Sequence, residues 1–135
     1  MLAAGLAFTG RTSAQASAEA LRSVFDRYFE AWHGSDPQKV LAFFSDHVVI
    51  DQVGGDNLKG KQAVGQKWVI PNMKQYPGNV HRVQNYFEMD DHAVIEWVFS
   101  ALNATTHKEE SFPGCSIYWV KGGLITRGHL YIISC

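Results

Sequence analysis

From Glu19 to His33 the apolar residues Leu21, Val24, Phe25, Tyr28 and Trp32 fall at i, i+3, i+4, i+7 and i+11. That spacing makes one stripe along an α-helix. His33-Gly34-Ser35 ends it, since glycine suits the left-handed position after a helix. Asp36-Pro37 opens a second helix, with a carboxylate at the N-cap and proline at the first turn. Its core face is Val40, Leu41, Phe43 and Phe44. Val48-Val49-Ile50 is a β-branched run that predicts a short strand ending at Asp51. Gly54-Gly55-Asp56 is a turn. A third helix is predicted over Lys61–Val69, stopped by Pro71.

After Pro77-Gly78 the period changes from helical to alternating. Strands are predicted over Val80–Met89, Ala93–Leu102, Cys115–Val120 and Leu124–Ile133, with Asp90-Asp91 and Lys121-Gly122-Gly123 as turns. Pro113-Gly114 marks an irregular edge before the third of them. Helices first and hairpin-linked strands afterwards predict an α+β domain. An antiparallel sheet of this size needs the helices on one face, and strong curling would leave a pocket between the layers.

Met1–Ala18 differs from the rest. It is small and apolar, then rich in Ser, Thr and Ala, with no carboxylate before Glu19. It reads either as a flexible N-terminus or as the remnant of a signal peptide, with Ala14-Gln15-Ala16 as a small-x-small site. The first implies a cytoplasmic protein and the second a periplasmic or secreted one. The folded domain is expected over residues 19–135. With 12 Lys and Arg against 13 Asp and Glu, the chain lacks the basic footprint of a nucleic-acid or membrane-surface binder. Leu2–Phe8 is far shorter than the roughly 20 residues that span a bilayer. Two cysteines and six histidines without ligand spacing predict no metal, and no phosphate-cradling or dinucleotide motif predicts a cofactor.

Arg27-Tyr28-Phe29-Glu30, then Phe44-Ser45-Asp46, Asp51, and Gly60-Lys61-Gln62-Ala63-Val64 stand in an order that resembles the NTF2-like superfamily, in its ketosteroid isomerase and SnoaL-like branches. The final WVKGGLITRGHLYI hairpin is similar to that family's last strand pair. The resemblance implies a cone-shaped, strongly curved antiparallel sheet covered by three N-terminal helices, the cystatin-like roll. One fold of this kind hosts many activities.

The resemblance also nominates residues. Asp51 looks like the carboxylate base of the isomerases, a role that needs an apolar, partly dry pocket to raise its pKa. It also fits a turn-forming Asp. Tyr28 falls where the family's oxyanion-donating tyrosine falls, and equally fits a core tyrosine bonded to backbone. Ser116 takes the place of the second oxyanion donor, an acid in the family. The positions of the cyclase Asp and His on the last strand hold Gly128 and Leu130. His81 stands on the strand where scytalone dehydratase-like relatives carry a catalytic histidine.

Strand alternation supplies the remaining candidates. His81, Val83, Asn85, Phe87 and Met89 share one face, with Asn85 a polar contact for a ligand. Ser116 and Tyr118 share another, and Trp97 is a further pocket candidate. Ile117 and Trp119 point the opposite way, as do Arg127, His129 and Tyr131, and such a stripe suits a homodimer. Two functions follow. One is a cofactor-free proton-transfer enzyme, of isomerase, dehydratase or cyclase type, on a small hydrophobic carbonyl or hydroxyl compound, with Asp51, Tyr28 and His81 catalytic. The other is a non-catalytic module that binds a small molecule or only dimerises.

Overall fold

A computed structural model describes residues 13–52 and 55–132 of the chain. Helix α1 (Ser13–His33) buries its predicted stripe, with Leu21, Val24, Phe25, Tyr28 and Trp32 all at most 5% exposed. It begins before Glu19, so the boundary drawn at residue 18 falls inside a helix, while residues 1–12 lie outside the described residues. Helix α2 (Pro37–Leu41) is capped by Asp36, whose carboxylate accepts from the Gln38 N–H at 2.9 Å.

Phe43 and Phe44 leave the second helix, contrary to the periodicity. The Phe43 carbonyl accepts from the Ile125 N–H, and Phe44 opens strand β1 (Phe44–Gln52). Strand pairing outcompetes the last helical turn here, and Phe44 is fully buried within the strand. After β2 (Asn57–Lys59), the third helix runs as α3 (Lys61–Val64), a π turn (Gly65–Val69) and α4 (Ile70–Gln75). Pro71 does not stop it. In the π turn the Ile70 N–H reaches the Gly65 carbonyl, and this wider turn admits a proline that lacks an N–H.

The sheet also contains β3 (Val80–Glu88), β4 (His92–Leu102), β5 (Glu109–Lys121) and β6 (Leu124–Ile132). Its order is β2-β1-β6-β5-β4-β3. Neighbours run antiparallel apart from β1 and β6, which run parallel. The sheet is open, and register shifts in β1, in β3 and at the β5–β6 pair bend it around the helices. Pro113-Gly114 lies inside β5 instead of before it, opposite Val98 and Trp97. The core lies between α1 and the inner sheet face, where Phe25 stacks on Tyr118 with ring centroids 5.6 Å apart.

Candidate functional site

Ile95, Trp97 and Phe99 of β4 alternate inward, and so do Ser116 and Tyr118 of β5. Opposite them stand Tyr28, Phe29 and Trp32 of α1 and Trp68 of the π turn. Between these layers is a cavity of about 40 Å³, lined also by Asn72, His81, Phe112, Leu130 and Ile132. It has room for a few waters. No carboxylate lines it among the described residues.

His81 sits in an aromatic box. Its ring centroid lies 5.1 to 5.8 Å from those of Phe99, Trp97, Phe29 and Trp32. Burial lowers its pKa from 6.5 to about 3, and the neighbouring His33 adds to the shift. At neutral pH the imidazole is therefore uncharged. Its Nδ1 is buried without a hydrogen-bond partner, which is costly in an apolar box unless a ligand or water supplies one. The His81 backbone N–H donates to Nε2 of His33 at 3.3 Å.

The Tyr28 and Tyr118 hydroxyls meet at 3.0 Å. One phenol donates to the other, so the acceptor keeps its own O–H proton for a third group. Burial raises both pKa values, that of Tyr118 to about 12 and that of Tyr28 well above its usual 10.0. Both phenols stay neutral donors. Ser116 Oγ accepts from Trp97 Nε1 at 2.9 Å, which likewise leaves the serine proton to donate. One small neutral cavity thus holds spare O–H donors and an unpartnered imidazole nitrogen. That set suits a ligand oxygen that both accepts and donates.

The structure corrects the expectation for Asp51. Strand β1 continues through Gln52 and pairs on both sides, Asp51 lying opposite Asn57 and His129. Ile50 is fully buried, so alternation turns Asp51 to the outer face. There its Oδ2 lies 3.1 Å from Arg127 Nη2 and 3.2 Å from His129 Nε2. His129 packs against Trp119, with ring centroids 5.0 Å apart. A carboxylate held this way on the far side of the sheet does not reach the cavity.

Asn85 is corrected too. Val83 pairs with Trp97 but Asn85 with Glu96, which makes Gln84 the extra residue of a bulge. From there the inner face passes from odd to even positions. Tyr86 and Glu88 turn inward, while Asn85, Phe87 and Met89 are exposed. The last strand has a similar shift near Thr126, which buries Ile125 although Arg127, of the same parity, is exposed.

Of the remaining candidates, Tyr28, Tyr118, Ser116, Trp97 and His81 all line the one cavity. Sequence reading missed Trp68, Asn72 and Phe112 as lining residues. Trp68 and Asn72 flank Pro71, so a helix ended at the proline hides their common face. The signal that finds them is the five-residue step from Val64 to Val69, both fully buried, which a regular α-helix does not produce. Among the described residues no three His, Cys, Asp or Glu side chains gather as metal ligands. Among them, too, no helix is long and apolar enough to cross a membrane.

No curated protein matches the chain. Solved structures share its fold at low identity. A candidate polyketide cyclase from Xanthomonas campestris pv. campestris is 22% identical with a TM-score of 0.73, covering 84% of this chain and 90% of that one. An LEH-like epoxide hydrolase from M. tuberculosis is 19% identical with a TM-score of 0.72, covering 87% and 84%. A protein with a ketosteroid isomerase-like fold from Catenulispora acidiphila DSM 44928, solved with trimethylamine, is 16% identical with a TM-score of 0.71, covering 80% and 83%. These likenesses establish the NTF2-like fold and nothing finer. The sequence profile of the SnoaL-like domain matches residues 25–128. With most of its length inside that match, and its helices folded over a curled open sheet, the chain belongs to the SnoaL-like domain family.

Proposed function

We propose that the protein binds a small, uncharged oxygen-bearing group of an apolar molecule in the interior cavity, with His81 as its central polar contact. The observation that carries this reading is the unpartnered Nδ1 of His81 inside an uncharged aromatic box. Trp97 and Phe99 fix the ring, and the Tyr28–Tyr118 pair and Ser116 hold donors for the same group. A carbonyl or hydroxyl oxygen accepts from the phenol pair or the serine. A hydroxyl, in addition, donates to the imidazole.

A second reading keeps proton transfer and moves it from Asp51 to His81. The pairing of an unpartnered imidazole with spare O–H donors favours it. His81 would take a proton from carbon beside a carbonyl while a phenol or the serine steadies the oxygen. A conjugate acid near 3 makes a weak base, since general bases work best near the operating pH. That ranks binding first. The fold neighbours described as a candidate cyclase and an epoxide hydrolase keep the enzymatic reading second.

Calorimetric titration with a neutral hydroxyarene, 6-hydroxy-2-naphthamide, tests the first reading. His81→Phe removes the polar contact and keeps the aromatic shape. It is expected to weaken binding about tenfold, the size of one buried hydrogen bond. Asp51→Asn is expected to leave affinity within about twofold, because a surface ion pair on the far side contributes under ~1 kcal/mol. Equal loss in both variants, or a loss only with Asp51→Asn, would refute it.

A further inference from the structure

We propose that the ligand extends outward past Trp68 and carries an anionic group that Lys67 recognises. The inference rests on the reading of the interior cavity as a binding site and adds the chemistry of the ligand's outer part.

Size comes first. The interior holds about 40 Å³, room for a few waters. Only a few heavy atoms fit there. A second compartment of about 400 Å³ lies outside it. Trp68, Asn72, Leu130 and Ile132 line both spaces, so they form the partition and the passage. A ligand whose polar head reaches His81 therefore has its body in the outer compartment, against the other side of these four residues.

Charge comes second. Lys67 is the one formally charged side chain lining either compartment among the described residues. It is exposed and joins no ion pair there. The other polar walls of the outer space, Gln52, Asn72 and Gln75, are neutral. An apolar body beside Pro71 and Trp68 would displace water near the ammonium and strengthen its attraction for an anion. Lys67 and Trp68 are consecutive residues of the π turn, an irregularity often found at functional sites. The ligand class is thus an amphiphile with a hydroxyl or carbonyl at one end, a flat apolar body, and an acid group at the other.

The test compares 6-hydroxy-2-naphthoate with its neutral isostere 6-hydroxy-2-naphthamide by calorimetry on the full chain at low salt. The naphthoate is expected to bind about fivefold more tightly, near the upper end for a solvent-exposed ion pair. Lys67→Gln should abolish that preference and leave naphthamide affinity within about twofold. Lys67→Glu should reverse it, and 0.5 M salt should shrink it in the wild type. If the naphthamide binds but the wild type shows no preference, or Lys67→Gln keeps the preference, Lys67 is not the reader and the cavity reading stands. If neither probe binds, both fall.

Discussion

Gly114→Val is expected to lower the stability of the domain by about 3 kcal/mol or more, with a fall of roughly 10 °C in melting temperature. A Cβ at this position would lie 2.5 Å from Cζ2 of the Trp97 indole, with Cη2 nearer still. Trp97 cannot simply swing away. Its Nε1 is tied to Ser116, its ring meets His81 at 5.2 Å, and it is 4% exposed. Close packing at this density turns a misplaced methyl group into displaced side chains and shifted backbone. Gly34→Ala is the control, since its Cβ would meet only the Ala31 carbonyl at 3.4 Å. Urea denaturation of both variants measures the difference. Equal midpoints would mean that Trp97 is not seated on Gly114, and the cavity wall would need redrawing.

The second large effect is a pH dependence of stability set by His81. Its folded pKa near 3 lies below the usual 6.5, so between those values the unfolded chain binds the proton and the folded one does not. The contribution is therefore complete above about pH 6.5 and is lost as pH falls toward 3. Between pH 6.5 and pH 4 the loss from this one group is about 3 kcal/mol. Other groups titrate in the same range, so the informative quantity is wild type minus His81→Phe at each pH. That difference is expected to shrink steadily on acidification in favour of the variant. A flat difference would mean that the ring accepts a proton in place, which its aromatic neighbours and His33 oppose.

The parts of this molecule that were legible beforehand obey a short-range rule. The α1 stripe follows a 3.6-residue period, and its five apolar residues reappear as one buried face. The Gly122-Gly123 turn needed two positive φ values, and it has them, at 60° and 77°. Ser116 and Tyr118 faced inward as alternation required. What escaped was parity over distance. One bulge at Gln84 turned Asn85 out and Tyr86 in, and no local signal marks that residue. Asp51 failed for a related reason. At a predicted strand end beside a glycine turn, alternation does not constrain it. Pairing that continues through Gln52 makes it the outward neighbour of a buried Ile50. Pro71 misled because the rule against interior proline assumes α-helical bonding, which the π turn suspends. The site was consequently half visible. Its hydroxyls and indole could be placed from strand alternation and family position, whereas the lining residues of the third helix could not.

If a ligand meets His81 in the interior and not the Asp51–His129 pair outside, the two imidazoles respond differently to it. Histidine side-chain nitrogen–proton correlation spectra, recorded while 6-hydroxy-2-naphthamide is titrated in at neutral pH, separate the two. The His81 ring signals are expected to move with saturation and to retain a neutral tautomer, while those of His129 stay where they were. Movement of the His129 signals with His81 unmoved would overturn the interior site and return it to the outer face of the sheet.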